Sequence, residues 1–546
     1  NNINEKNTLS RSINRGFGWN NENIISYNRE IGDHNFTILA GTGVYVDNDA
    51  YGSNVTYKGL PTSDYREASF NFDITQENKS SSAYDNDQHK LSSLFSRLNY
   101  DYKEKYLLTG IIRRDGSSRF GTNNKYGVFP AFSAGWVVTK EGFWKESPVL
   151  NTLKVRAGYG VTGNDAIGDF GYLSTISGGR NYAFGTDGAM QIGSSPDAPS
   201  NPDLKWEETT QTNIGIDTRW FNDLTMTVEV FKKVTAGILQ SVEIPGFLGA
   251  PANPLGNVAD MENRGVELEL GFNKKYGEVN FRINGNVSYL ENEVTYLGQG
   301  KTYITDGVGF QSLGTLTRTE IGRGINTFYG FKTNGIFQNQ AEVTSYTNST
   351  GVVIQPNAKP GDFRWVDANG DGVITDLDKQ YLGSPLPKYT FGLNFGVDYK
   401  GFDFSASLNG AAGNKIFQGL RRIDIGPYAN FQSKALGRWT GEGTSDTYPR
   451  LTIADDNQNF TRFSDFYLEN GDYLRLKLIT FGYTLPSRVV NTIGASKVRF
   501  YVTGENLLTL TKYTGYDPEI GGNTFGIDRG YYPQAQTFMF GVNFQF

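Results

Sequence analysis

Residues 537–546 read Thr-Phe-Met-Phe-Gly-Val-Asn-Phe-Gln-Phe, and they alternate strictly. Phe538, Phe540, Val542, Phe544 and Phe546 fall on one side; Met539, Gly541, Asn543 and Gln545 fall on the other. A period of two means an extended strand with two unlike faces. One face is almost wholly aromatic, and the other is small or polar. A transmembrane β-barrel asks for that pairing, with an apolar face for lipid and a polar one for the lumen. A strand of roughly ten residues also crosses a bilayer at barrel tilt. An edge strand of a large soluble β-sandwich is the competing reading of this stretch alone.

The same alternation recurs upstream. Strands are predicted within 1–20 and at 23–29, 35–46, 91–102, 106–113, 126–139, 153–161, 210–220, 224–233, 265–273, 279–290, 314–321, 326–332, 389–399, 402–410, 473–483, 497–504 and 537–546, about eighteen in all. In the pair 389–399 and 402–410, Phe391, Leu393, Phe395, Val397 and Tyr399 share a face. Phe402, Phe404, Ala406 and Leu408 continue that face beyond the turn at Lys400-Gly401.

The connections are of two kinds. Short ones fall at 30–34, 103–105, 140–151, 221–222, 274–277, 322–324, 400–401 and 485–496. Long ones fall at 47–90, 115–125, 162–208, 235–264, 291–313, 333–388, 411–472 and 505–535. The two kinds alternate along the chain. A soluble meander has no reason to segregate its loop lengths. An outer-membrane barrel does, with short periplasmic turns and long extracellular loops. On that parity 47–90 reads as one loop, although 68–74 resembles a strand. Tyr399, Tyr483, Trp220 and Trp136 lie near strand ends, where an interface belt places amphipathic rings. Ordinary β-propensity places Tyr and Trp in strands as well.

Composition agrees. Gly supplies 66 of 546 residues, Tyr 32 and Phe 37, and charged residues are 20%. No stretch approaches 18 apolar residues, so no transmembrane helix is expected; alternating strands keep averaged hydropathy low in barrels. Cysteine is absent, which removes disulfides and thiolate metal sites, and with His34 and His89 as the only histidines, histidine-based catalysis or zinc binding is nearly excluded. The net charge of −6 does not suit nucleic acid. Asn1 opens directly into polar residues with no signal peptide, so an exported protein of this sequence is expected to be mature, trimmed or a fragment.

Several blocks carry a resemblance. They are Phe95-Ser96-Arg97-Leu98-Asn99-Tyr100, Lys105-Tyr106-Leu107-Leu108-Thr109, Arg114-Asp115-Gly116-Ser117-Ser118-Arg119-Phe120-Gly121, Phe129-Pro130 and Gly135-Trp136. Leu153 to Gly160 with Thr162-Gly163-Asn164, Asn201-Pro202-Asp203-Leu204-Lys205-Trp206-Glu207 and Asn263-Arg264-Gly265-Val266-Glu267-Leu268 follow. Tyr473-Leu474-Arg475-Leu476, Gly504-Glu505-Asn506-Leu507 and Tyr513-Thr514-Gly515-Tyr516-Asp517-Pro518-Glu519 complete them. In order and number these blocks resemble the SusC/RagA family of TonB-dependent outer-membrane transporters from Leu91 onward. The resemblance implies an all-β, 22-stranded transmembrane antiparallel barrel with a plug inside and a SusD-like lipoprotein as lid. It implies energised uptake of large nutrients, commonly oligosaccharides or peptides, with TonB acting through the plug. Residues 1–546 show no plug, no TonB-contact segment and no N-terminal extension, and the eighteen or so strands leave about four unaccounted for. The chain is therefore expected to be the C-terminal part of such a barrel.

One motif has metal-ligand spacing. In 367–378, side-chain oxygens fall at Asp367, Asn369 and Asp371, Gly372 permits the sharp bend, Val373 offers its carbonyl, and Asp378 closes the loop. This is the calcium-loop pattern with Asp in place of the final Glu, one methylene shorter, and without flanking helices. A structural Ca2+ in an extracellular loop is one expectation; an Asx-rich turn held by its own side chains is the other.

Asp517 and Glu519 show no spacing that argues for acid–base work, and Gly322-x-Gly324 lacks the strand–helix context of a phosphate loop. Tyr172, Tyr182, Phe184, Tyr428, Phe431, Tyr531 and Tyr532 suit either stacking on sugar rings or packing loops together. The reading is of a non-enzymatic barrel in the Gram-negative outer membrane, surrounded by lipid, taking up glycan or peptide with a SusD-like partner and no nucleic acid. The alternatives are a SusC-like barrel serving as a non-transporting scaffold, and a soluble carbohydrate-binding β-protein.

Overall fold

In the computed structural model, the described residues are 6–86, 88–186, 188–298, 300–304, 307–423 and 430–546. Among them the main sheet has 16 strands. We number these β1 Thr8–Ile31, β2 His34–Lys58, β3 Lys79–Asp85, β4 His89–Tyr102, β5 Tyr106–Ser117, β6 Tyr126–Val137, β7 Leu150–Asn164 and β8 Glu207–Trp220. There follow β9 Leu224–Ser241, β10 Leu255–Tyr276, β11 Val279–Leu297, β12 Tyr389–Tyr399, β13 Phe402–Ala412, β14 Tyr473–Thr484, β15 Lys497–Thr511 and β16 Thr537–Gln545. Each strand neighbours the next in sequence, except that β2 pairs with both β3 and β4.

The short connections are tight because their residues accept left-handed backbone. Lys400 and Gly401 have φ of 46° and 87°, and Phe221 and Asn222 have 53° and 62°. Two such residues in succession match the right-handed twist of the flanking strands. A Cβ on Gly401 would also sit 2.7 Å from the Thr484 carbonyl oxygen.

The chain divides into two compact units. The first comprises 1–135, 158–211 and 235–258; the second comprises 136–157, 212–234 and 259–546. In the second unit the register draws out the two faces. Residues directly opposite in antiparallel strands share a face. One row runs Tyr276, Val279, Tyr399, Phe402, Tyr483, Phe500 and Val542. The next runs Phe281, Val397, Phe404, Phe481, Val502 and Phe540. None of these side chains is buried. The intervening row is Asn280, Asp398, Asp403, Gly482, Tyr501 and Gly541. It carries ion pairs of Arg282 with Asp398 at 2.8 Å and Arg499 with Asp403 at 2.5 Å. Phe538, Phe540, Phe544 and Phe546 are 68%, 84%, 46% and 89% exposed, so no second protein layer covers them. The sandwich reading fails on that observation.

Three expectations need correction. Residues 47–90 are not one loop: β2 continues to Lys58 and β3 pairs back onto it from Tyr51 to Tyr57. A 25-residue strand is far longer than the roughly ten residues a bilayer needs, so its far part has no lipid to face and no apolar alternation to show. Likewise 1–20 and 23–29 belong to one strand, β1, of 24 residues. Residues 314–321 and 326–332 do form strands, Thr317–Glu320 and Thr327–Gly330, but in a separate four-stranded sheet with Tyr303–Ile304 and Gln380–Gly383. Their period-two pattern faces a small protein core, with Leu316, Thr317 and Phe328 buried, and looks the same in sequence as one facing lipid. Removing this pair takes out an even number of strands, so the short–long alternation survives.

The long connections are also folded rather than irregular. In the first unit Phe120, Phe129, Leu204 and Trp206 form a buried cluster. In the second, Phe310, Leu316, Phe328, Phe417, Phe463, Tyr467 and Ile527 form another. These seven come from the connections 298–388, 413–472 and 512–536, which thereby fold together as one cap.

Candidate functional site

The cap of the second unit is assembled by polar side chains as much as by its core. Arg475, 2% exposed on β14, reaches Asp517 at 2.5 Å and Glu519 at 3.0 Å. The sequence blocks around Tyr473 and Asp517 are thus two halves of one buried clamp. Asp362, fully buried, pairs with Arg450 at 2.6 Å and accepts from Asn459 at 2.8 Å. Tyr513 donates its hydroxyl to Asp528 at 2.5 Å; burial first, and then that carboxylate, push its ionisation well above the tyrosine range.

The first unit has its own clamp. Ser117 donates to Asp165 at 2.7 Å, His89 meets the same oxygen at 2.8 Å, and Arg119 reaches Asp169 at 2.9 Å. Trp206 packs on Phe120 and Phe129 at ring distances of 5.1 and 5.4 Å. The Arg-Asp-Gly-Ser-Ser-Arg-Phe and Asn-Pro-Asp-Leu-Lys-Trp blocks therefore hold loops in place. The tip of the Phe129 ring reaches Gly127 and Gly163: a Cβ there would approach its Cζ to 2.3 and 2.1 Å.

Within the cap of the second unit lies a cavity of about 790 Å³, bordered among others by Phe363, Tyr448, Asp465 and Phe466. Glu469 sits on its wall, paired with Arg421 and, at 3.3 Å, with Lys434. Burial alone would raise the Glu469 carboxyl, but donors from Thr514, with Arg421 and Lys434, hold it below the usual range. Burial, with Arg421 beside it, lowers the Lys434 ammonium. Asp465 behaves oppositely: burial pushes it up, and the two Thr333 donors at 3.1 and 3.0 Å only partly offset this. No signal in the sequence marked this cavity, because its lining is drawn from seven separate stretches of three long connections.

The 367–378 loop folds as a series of Asx turns. Asp367 accepts the amides of Gly370 and Gly372, each at 2.8 Å, Asn369 accepts that of Asp371, and Asp371 accepts that of Val373. Asp378, fully buried, accepts the amides of Ala368 at 2.8 Å and Thr375 at 2.7 Å. Among the described residues no three acidic or histidine side chains converge as a metal cluster. The carboxylates keep lone pairs beyond these bonds, so the donor set remains compatible with a hard cation.

Of the loop aromatics, Tyr172 packs against the first unit's buried cluster. Tyr182 and Phe184 meet edge to face at 5.0 Å on an exposed hairpin. Phe431, Tyr531 and Tyr532 are exposed, and Tyr428 lies outside the described residues. No described helix is long and apolar enough to cross a membrane, which leaves crossing by strands untouched.

Residues 2–507 match the TonB dependent receptor-like β-barrel family. The TonB-dependent receptors P26 and P3 of Formosa agariphila are 33% and 30% identical to this chain, over 97% and 96% of its length and 53% and 52% of theirs. The TonB-dependent receptor SusC of Bacteroides thetaiotaomicron is 29% identical over 98% of this chain and 51% of that protein. The chain thus spans about half the length of the curated relatives it matches. Among solved structures, the RagAB peptide transporter superposes with a TM-score of 0.81 at 24% identity, over 99% of this chain and 56% of the matched one. Its closed-closed state, described as a peptide importer, gives 0.80 at 25%, again over 99% and 56%.

Proposed function

Because the chain belongs to the TonB dependent receptor-like β-barrel family, we propose that it supplies most of the barrel of a SusC-like TonB-dependent transporter. Barrels of this family reside in the outer membrane and transport rather than catalyse. In this reading the apolar rows face lipid, the ion-paired face lines the lumen, and the folded connections form the outer mouth. Energy arrives through TonB on a plug outside residues 1–546, and a SusD-like lipoprotein closes the mouth as a lid. The cargo is a large nutrient, glycan or peptide.

The observation that carries this reading is the register of the second unit, where apolar and ion-paired rows alternate across consecutive strands. Neither a scaffold nor a transporter differs in that respect, so the deciding test is transport. Deleting the gene should abolish TonB-dependent growth on the cargo, and restoring it should bring growth back. A strain that grows unchanged on every glycan and peptide tried, yet loses assembly of other surface proteins, would favour the scaffold.

The calcium reading of 367–378 rests on spacing alone and is proposed as structural. Calorimetry of the intact protein with Ca2+ should show binding that Asp371→Ala removes. No heat, and no difference for the variant, ends the idea.

A further inference from the structure

In the first unit the apolar face of the sheet ends in a stripe of positive charge. Register across β2, β4 and β5 gives one row of Phe36, Tyr100 and Leu108, then Ile38, Leu98 and Gly110, then Ala40, Ser96 and Ile112. The next rows on the same face are Thr42, Leu94 and Arg114, then Val44, Ser92 and Gly116, then Val46 and Lys90. Arg97, Asn99, Asp101 and the Arg113–Asp115 pair, at 2.6 Å, lie on the opposite face. On β5, eight residues separate Tyr106 from Arg114, about 26 Å along the strand and about 20 Å in height at barrel tilt. An apolar band is about 25 Å tall, so Arg114 stands where the band ends. The long connection 115–125 follows it, which places it at the outer leaflet.

Arg114 is exposed, and its guanidinium lies over the Tyr126 ring at 3.9 Å. That ring is lodged against Gly116, where an added Cβ would come within 2.4 Å of its Cε1. The stack fixes the guanidinium plane and leaves its N–H edge open. Among the described residues neither Arg114 nor Lys90 takes part in an ion pair. Lys90 and Ser92 are exposed as well, and no carboxylate lies in these three rows. The second unit treats such cations differently. On the apolar side of β10, Arg264 is paired with Glu291 at 2.9 Å, and Lys232 with Glu262 at 2.8 Å. What stays open on the first unit is a fork of N–H donors, a hydroxyl and an ammonium at the edge of the lipid-facing rows. An Arg fork matches the oxygens of a phosphate, and that is the group an outer-leaflet lipid presents at this height.

We infer that Arg114, Ser92 and Lys90 form a site on the outer wall for the phosphorylated headgroup of an outer-leaflet saccharolipid of the lipid A type. Its phosphate sits on the Arg114 fork, and its acyl chains run down over Leu94, Ile112 and Leu98. The inference rests on the outer-membrane placement proposed above and is independent of the cargo and of TonB.

Native mass spectrometry of the intact protein released from detergent tests it with three probes: diphosphorylated lipid A, the same lipid stripped of its phosphates, and inorganic phosphate. Lipid A should be retained, and the stripped form about tenfold less, the loss expected for one charge-assisted contact. Arg114→Gln should erase the difference between the two lipids. Tyr126→Leu, which keeps the charge and removes its platform, should narrow it, and so should Lys90→Gln. Arg264→Gln, whose guanidinium is already paired, should leave it unchanged. Equal retention of the two lipids by the unaltered protein overturns the inference whether or not any variant folds. An Arg114→Gln protein that still discriminates overturns it too, as does an equal loss in Arg264→Gln, which would mean that net charge alone attracts the lipid. Inorganic phosphate that displaces lipid A at equal concentration would make this a site for free anions and overturn the lipid assignment. The uptake reading falls separately, on absence of TonB-dependent growth.

Discussion

Arg475 shows how a single residue ties strand to cap. Its guanidinium is buried with Asp517 and Glu519, and Lys477 reaches Glu519 as well, at 3.4 Å. A buried ion cluster gives little net stability when complete, yet removing one partner strands the others. Arg475→Met should therefore destabilise the cap by about 3–5 kcal/mol, read as an earlier thermal transition in detergent. Tyr513 gives a pH dependence of definite sign. Its folded ionisation lies above the ordinary tyrosine value of 10.0, so the stability it contributes is fully present below that pH and is lost as pH rises beyond it. Alkaline titration should show this tyrosinate appearing only with unfolding of the cap. Tyr513→Phe should remove that slope and cost about 1–3 kcal/mol at neutral pH, since among the described residues Asp528 keeps the Gly530 and Tyr531 amides as its side-chain donors. Gly163→Ala should cost about 1–3 kcal/mol by overpacking, because Phe129 is clamped by Phe120 and Trp206 and has little room to tilt.

At the scale of the element, adjacent residues on β12 meet different surroundings. Phe395 lies in an apolar row with Ile283 and Ala406, and Asn394 lies opposite Asn284 and Ser407 on the other face. Phe395→Lys should cost about 2–4 kcal/mol of stability in the bilayer, the range for a cation near the midplane on the lipid side. Asn394→Lys should cost little. Folded yield in the outer-membrane fraction separates the two, and equal yields would contradict the assignment of faces. The hairpins were legible in sequence because both signals they need are local: alternation along each strand and a turn such as Lys400-Gly401. β12 and β13 fall within two residues of their expected ends for this reason. β3 and the outer part of β2 were not legible, since Lys-Ser-Ser-Ser-Ala-Tyr-Asp has no apolar face to read. The cap was hidden for a different cause. Its core residues, such as Phe310, Phe417 and Ile527, meet through contacts between separate connections, from about fifty to more than a hundred residues apart in sequence.

For the molecule as a whole, the alternation of connection lengths makes a claim about sides. If every long connection is extracellular, then every short one is periplasmic, and two sites in the second unit can be labelled to decide it. Gly351 lies in the connection 298–388, exposed, at φ 80°, with nothing within 4 Å of an added Cβ. Gly494 lies in the connection 485–496, likewise exposed, at φ 71°, and likewise open. Neither position packs against anything, so a short epitope inserted after either glycine should leave the fold intact. Recovery of both proteins in the outer-membrane fraction confirms that it does. An antibody added to whole cells should then label the insertion after Gly351 and miss the one after Gly494. Permeabilising the outer membrane should expose both equally. Labelling after Gly494 on intact cells would place long and short connections on one side. No barrel of antiparallel strands allows that, because successive connections of an up-and-down meander must leave at opposite ends.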